Sequence, residues 1–334
     1  MATQDVMQAA LIRTISHDPV LGEIARPTRK PGQVLIAVRA AALNPIDQWL
    51  ASGQFYLGHP PLPYVPGCEG AGVVLEGDGT LQPGTRVRFE CPVLSTYGSL
   101  APRTVVESED AIPIPDDAPD DLAASIGIAG MAGWLSVASR AQVSPGERVV
   151  VLGATGVVGQ VAVQAARWLG AGRIVAVGRN REALDRTREL GADGVVALEG
   201  QDVGELAGAL QAAAGGPIDV VIDGLWGNPA LAAMTAAGPR ARVVNLGQSS
   251  APTLTLPSGM VRGKMLSLLG YSNMLESKAE RRRGFQTVLA RAVQGDLVVE
   301  RELFSLAHVA QAWRQQHRSP HKKLVVTLPE DSSV

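Results

Sequence analysis

Residues 149–180 read VVVLGATGVVGQVAVQAARWLGAGRIVAVGRN, and no other stretch narrows the fold as much. The first eighteen of them carry no charge, which leaves a membrane span, a buried helix or a turn built for phosphate. A span needs about 20 predominantly apolar residues in unbroken helix. Here Gly153, Gly156 and Gly159 fall within seven residues behind a β-branched run, and Gln160 and Gln164 follow. The pattern predicts strand, turn and helix. Residues 148–152 form a strand covered on both faces, because the valines run on without alternation. Residues 157–169 form a helix stopped by Gly170 and Gly172. Glycines in such a turn let the chain bend tightly, let backbone N–H groups approach a pyrophosphate, and let the helix pack on the strand. The helix N-terminus adds partial positive charge. A tight strand-to-helix turn without a ligand would look the same, so the following residues have to decide.

They predict a second strand, 173–177, ending at Gly178-Arg179-Asn180. An NAD site usually places an acid about 20 residues past the glycines, to hold the ribose 2′-hydroxyl. This chain has Arg179 there. An acid repels a 2′-phosphate, whereas arginine holds it through charge-assisted bonds. The sequence thus favours a dinucleotide loop for NADPH, built from Ala154, Thr155, Gly156, Val157, Val158 and Gly159 with Gly178, Arg179 and Asn180.

A chain of 334 residues exceeds the size at which one core stops growing, so two domains are expected. A net charge of −2 gives no basic field for nucleic acid. No basic segment precedes an apolar core near Asp5, and Cys68 and Cys91 are the only cysteines. Both features point to a cytoplasmic protein without a disulfide framework.

Two textures divide the chain. Residues 1–120 hold short β-type runs (QAALIRTI, QVLIAVRAAAL, TRVRFE, RTVVES, AIPIP) broken at Pro31-Gly32, Gly77-Asp78-Gly79 and Pro83-Gly84. A short helix interrupts them, with Asn44 as N-cap and Pro45 at its first position. Residues 121–270 alternate strands (148–152, 173–177, 194–198, 218–222, 241–246, 265–269) with Ala-rich helical segments, the rhythm of a doubly wound parallel sheet. Residues 271–334 hold a basic helix, a second helix from about His308, and a strand, KKLVVTL, that returns to complete the first domain.

The segments AALNPIDQWLASGQFY, PYVPGCEGAGVV, LQPGTRVRF, GSLAPRTVV, GATGVVGQVAVQAARWLGA, VVIDGLWG, VVNLGQSS, LSLLGYS and KKLVVTL resemble, in order and spacing, the medium-chain dehydrogenase/reductase superfamily and its zinc-free quinone oxidoreductase group. The resemblance covers nearly the whole chain and implies an α/β fold: a GroES-like β domain plus a doubly wound Rossmann domain. It also implies that Asn245, Leu246 and Gly247, and Gly270, Tyr271 and Ser272, approach the cofactor. Lys323 would lie near the 2′-phosphate or else be solvated. Asp223 would hold ribose or cap a loop. Trp134 follows a segment that contacts nicotinamide in relatives, with Ala132 replacing their usual Thr. Relatives pair the edge strands at MLSLLG into a homodimer.

Zinc-dependent members have a Cys in the segment that reads Leu43-Asn44-Pro45-Ile46-Asp47 here, and Gly-His-Glu where this chain has Gly67-Cys68-Glu69. A catalytic zinc needs three protein ligands. Cys68 and Glu69 lack a third, so the expectation is no metal, with Cys68 a small buried hydrophobe. Chemistry without a metal suits hydride addition to a quinone or an α,β-unsaturated carbonyl. For that reaction Asn44 is a helix cap, a substrate-facing donor or both. Tyr56 is either a packing aromatic or a proton donor. Asn44, Tyr56 and Trp134 are the expected substrate contacts. Two alternatives stand beside this reading. One is an enoyl reductase on a carrier-bound thioester, with Arg281, Arg282 and Arg283 as docking patch. The other is a nucleotide-binding protein with little catalysis.

Overall fold

A computed structural model describes residues 5–329. In chain order the elements begin with β1 (Val6–Leu11), β2 (Val20–Ala25), β3 (Gln33–Ala42), α1 (Pro45–Ala51), β4 (Glu69–Glu76), β5 (Arg86–Glu90), β6 (Arg103–Glu107), β7 (Ala111–Pro113) and α2 (Asp120–Ser125). The middle of the chain carries α3 (Ile128–Leu135), β8 (Arg148–Leu152), α4 (Val157–Trp168), β9 (Arg173–Gly178), α5 (Arg181–Arg186), β10 (Gly194–Ala197), α6 (Val203–Ala214), β11 (Ile218–Asp223), α7 (Gly227–Ala236), β12 (Ala237–Asn245), α8 (Ser258–Lys264) and β13 (Ser267–Gly270). Then come α9 (Lys278–Val293), β14 (Arg301–Ser305), α10 (Val309–Gln316) and β15 (Lys323–Thr327). Among the described residues, no helix is long and apolar enough to cross a membrane.

The chain divides into two compact units. The described residues of the first are 5–128, 285–294 and 299–329. Its main sheet runs β14-β15-β3-β4-β5-β7, with β6 also paired to β3, while β1 and β2 form a separate antiparallel pair. Val34, Ile36 and Val38 of β3 pack with Phe89, Trp313, Leu324 and Val326 in one core, so the late strand β15 fills the centre of an early domain. The glycines of EGAGVV have a steric cause: a Cβ on Gly72 would sit 2.1 Å from the Ala37 carbonyl oxygen. Only a bare backbone lets β4 lie that close to β3.

The second unit comprises residues 129–284 and 295–298. Its parallel sheet has the order β10-β9-β8-β11-β12-β13, which in order of appearance is the 3-2-1-4-5-6 arrangement of a dinucleotide-binding sheet. Val150, Leu152, Val175 and Val177 belong to one buried cluster, and Val149, Val151, Ile174 and Ala176 to another. Successive strand residues point to opposite faces, so this division accounts for the valine run: both faces are covered.

The division differs from the expected boundaries. Residues 121–128 belong to the first unit because α2 packs on β3 and β4. Residues 271–284 stay with the second, where a Cβ on Gly284 would meet Leu135 at 3.0 Å. Two strands also start elsewhere than expected. β12 begins at Ala237, four residues early, and β13 begins at Ser267 because Met265 is the left-handed cap of α8 at φ 53°.

Candidate active site

In the second unit, the residues expected to hold a cofactor gather at the carboxyl ends of β8, β9, β12 and β13. Gly153 turns the chain at φ +80°. Its N–H and that of Ala154 donate to the Val177 carbonyl at 3.0 and 2.9 Å, tying the turn to β9. Gly156 is the N-cap of α4 and supplies no side-chain cap. The first N–H groups of that helix therefore face outward without an internal acceptor, the usual setting for a bound anion. Gly159 is fixed sterically: a Cβ there would lie 2.4 Å from the Gly153 oxygen and 2.6 Å from the Ala154 Cα. Gly178 makes room for Thr155, whose Cγ2 would be 2.7 Å from an added Cβ. Gln160 Nε2 holds the loop through the Thr155 carbonyl at 2.8 Å.

Arg179 is exposed at the end of β9 and has no ion-pair partner among the described residues. The Asn180 side chain is committed elsewhere, since its Oδ1 accepts from Ala183 N at 2.9 Å and caps α5. Asp223, at the end of β11, caps a loop. Its Oδ1 accepts from Leu225 N and Trp226 N, both at 2.9 Å, and its Oδ2 accepts from Asn245 Nδ2 at 3.0 Å. Burial raises its pKa against those bonds. Asn245 Nδ2 also donates to the Gly247 carbonyl at 2.8 Å, so the amide braces the end of β12. The Gly270 carbonyl accepts from Arg140 Nε at 2.9 Å, and Tyr271 Oη donates to Asn273 Oδ1 at 2.7 Å. Leu246 and Ser272 continue these two strand ends. Trp134 sits in α3, edge-on to Trp168 at 5.9 Å.

The first unit contains a buried polar cluster. Asn44, Asp47, Glu69, Arg88 and Lys323 are each at most 3 % exposed. Lys323 Nζ donates to Asn44 Oδ1 at 2.6 Å and to Glu69 Oε1 at 3.1 Å. Asn44 Nδ2 donates to Glu69 Oε1 at 2.8 Å and to the Ala42 carbonyl at 3.3 Å. Glu69 Oε2 accepts from Arg88 at 3.1 Å and from Ile128 N at 2.5 Å. Burial pushes the Glu69 carboxyl up, but Lys323 and Arg88 outweigh it and hold the pKa below the ordinary value. Asp47 Oδ2 accepts from Asn44 N at 2.7 Å and its Oδ1 from Cys68 N at 2.9 Å, which fixes the start of α1 against the turn at Gly67. Burial nonetheless raises the Asp47 pKa to about 6. The Cys68 thiol is pushed well up by burial and by neighbouring Asp47, so it stays protonated.

The structure changes two expectations. Lys323 is not solvated: it is buried, and its ammonium is spent on Asn44 and Glu69. Asn44 does not present its amide to a substrate, because both amide protons are taken. Tyr56 packs its ring on Phe55 at 4.5 Å yet remains 75 % exposed, which leaves both of its expected roles open. Arg88 escaped the sequence reading. In Thr85-Arg86-Val87-Arg88-Phe89 it sits in the strand beside two core residues, and its guanidinium lies 5.4 Å over Phe285, which is distant in sequence.

Zinc does not fit the donors present. Among the described residues, no group of three His, Cys, Asp or Glu could hold a metal ion. The place where zinc-dependent members set their ligands is taken by an amide, a protonated thiol and a carboxylate already bound to an ammonium. A dinucleotide does fit the second unit, on the uncapped helix and the three close glycine contacts.

Sequence models of two families match the chain: the alcohol dehydrogenase GroES-like domain over residues 30–116 and the zinc-binding dehydrogenase over residues 157–290. The chain belongs to the medium-chain dehydrogenase/reductase superfamily. It is an oxidoreductase of that family. Quinone oxidoreductase-like protein 2 of Rattus norvegicus is 27% identical over 266 residues, 79% of this chain and 74% of that protein. The NADPH-dependent alkenal/one oxidoreductase of Arabidopsis thaliana chloroplasts is 34% identical over 180 residues, 51% of this chain and 46% of the relative. A phenolphthiocerol/phthiocerol polyketide synthase of Mycobacterium tuberculosis is 28% identical over 333 residues, covering 93% of this chain but only 14% of the synthase polypeptide. Among solved structures, a probable oxidoreductase from Mycobacterium abscessus superimposes with a TM-score of 0.83 at 25% identity, over 97% of this chain and 100% of that one.

Proposed function

We propose that this oxidoreductase uses NADPH to reduce a quinone or an α,β-unsaturated carbonyl without a metal. The observation that carries the reading is Arg179, an exposed guanidinium at the end of β9 where an NAD site usually has an acid. The N-terminus of α4 would receive the pyrophosphate, and Gly178 and Arg179 the adenosine ribose with its 2′-phosphate. When bound, NADPH supplies a hydride. The cluster around Glu69 favours a conjugated acceptor. With Lys323 and Arg88 neutralising Glu69 and no third donor beside Cys68, this reading places no Lewis acid on a simple carbonyl, whereas a conjugated system spreads the incoming charge onto its own oxygen. Asn44 and Lys323 then shape the first unit rather than touch the substrate. Tyr56 is the exposed phenol that this reading assigns to the acceptor oxygen. The alkenal/one oxidoreductase relative supports the same chemistry.

The test is a comparison of cofactors on a panel of quinones and enones. Arg179→Ala should weaken NADPH binding about 10- to 150-fold, the value of a charge-assisted hydrogen bond of about 1.5–3 kcal/mol, and leave NADH nearly unchanged. Equal losses for both cofactors would remove the 2′-phosphate from the reading. In the same assays Tyr56→Phe should slow enones by about a hundredfold if the phenol protonates the product, and quinones less.

The similarity to a polyketide synthase favours a second reading, reduction of a carrier-bound enoyl thioester. Turnover of an enoyl pantetheine thioester in preference to every free enone would establish it.

A further inference from the structure

The parallel sheet has a second charged opening, at the amino ends of its strands. Arg148 and Arg173 are the first residues of β8 and β9 and are direct partners across that pair. Together with Gly146, Gly172, Ala214 and Gly215 they line a cavity of about 300 Å3. No carboxylate lines it. Acids beside the starts of these strands are engaged: Glu147 pairs with Arg242, and Asp193, which also accepts from Ile174 N, pairs with Arg167 at 2.6 Å. Asp219 accepts the Arg148 backbone N–H at 2.8 Å.

The two guanidiniums themselves are barely used. Arg173 donates through Nε to the Ala213 carbonyl in the last turn of α6 at 2.5 Å. Arg148 lies against Gly216, where an added Cβ would meet the guanidinium carbon at 3.2 Å. Among the described residues neither has an ion-pair partner, which leaves the Nη protons of Arg173 and the whole fork of Arg148 for another acceptor. Like charges directly opposite on a sheet are destabilising, and a multivalent oxyanion between them offsets that repulsion while matching the planar forks. Five residues of β8 separate this opening from the Gly153 turn, about 15 Å at the rise of a strand, so it is not part of the dinucleotide loop.

We propose that Arg148 and Arg173 form a binding site for a phosphate-class oxyanion, either inorganic phosphate or a phosphate monoester. The site is independent of the cofactor reading, and the test separates the two. Binding of inorganic phosphate and of phenyl phosphate to the full chain is measured by calorimetry at constant ionic strength, for the parent, Arg148→Gln, Arg148→Lys and Arg179→Ala. The proposal expects Arg179→Ala to keep a phosphate site that Arg148→Gln weakens at least tenfold. Arg148→Lys keeps the charge, guards against a folding defect, and should weaken binding several-fold through loss of the fork. Tighter binding of phenyl phosphate than of phosphate would assign the site to esters, and the reverse to the free ion. Unchanged binding in Arg148→Gln, or loss of all binding in Arg179→Ala, would overturn it.

Discussion

Lys323 reaches the cluster from a strand 279 positions after Asn44, and its effect is electrostatic. Without it, Glu69 keeps Arg88 but loses the ammonium shared with Asn44. Breaking a buried pair by removing one partner costs about 3–5 kcal/mol, so Lys323→Met should lower unfolding stability by about that much in urea titration. Lys323→Met combined with Glu69→Gln should recover most of it. A loss well under about 1 kcal/mol in the single variant would mean that water reaches the cluster. Asp47 acts in the opposite sense. Its folded pKa of about 6 lies above the ordinary carboxylate value, so the folded state binds the extra proton between roughly pH 4 and 6. Its contribution to stability is full below about pH 4 and is lost as the pH rises through about 6. Asp47→Asn should therefore change the slope of stability against pH in that window by up to ~1.4 kcal/mol per unit; an unchanged slope would show that Asp47 titrates normally. None of these partnerships was legible in the sequence. Nothing local in the sequence pairs Arg88 or Lys323 with a carboxylate until the fold brings Glu69 to both, and Asn44 reads as a helix cap or a substrate-facing donor rather than as a partner of Lys323.

At the level of elements, the strand, turn and helix at 148–168 could be read because each force there is local: valine runs, glycine spacing and a helix stop. The same holds for α1 behind Asn44-Pro45. β2 left no such trace, since its residues are half exposed and pair only with β1. β13 starts two residues later than its apolar pattern suggests, because the left-handed turn at Met265 depends on how α8 ends. The local origin of the dinucleotide loop also makes it brittle. Gly159→Val would drive a branched side chain into the Gly153 carbonyl, so α4 must move off β8. NADPH affinity, followed by fluorescence titration, should fall at least a hundredfold, with a melting temperature lowered by several degrees. Parent-like affinity in a folded variant would show that the loop does not bind the dinucleotide.

For the whole molecule, β13 is an edge strand of the parallel sheet, with Met265 59% and Leu268 42% exposed beside and within it. An uncovered apolar edge invites pairing with another chain, and we propose that two copies join there. Light scattering at micromolar concentration should give a dimer mass, and Leu268→Lys a monomer; a parent protein that is monomeric at that concentration excludes the pairing.

The place of β15 in the first sheet has a consequence for biosynthesis. Residues 40–42 of β3 take their partners from residues 325–327, so that side of β3 has nothing to pair with until almost the whole described chain has left the ribosome. At about 5–20 residues per second the wait lasts roughly 15 to 60 s. The second unit, nearly continuous in sequence, can finish folding meanwhile. An apolar strand edge thus stays open to other nascent chains, and a chaperone that shields early strands would raise the yield more than one that acts on the completed polypeptide.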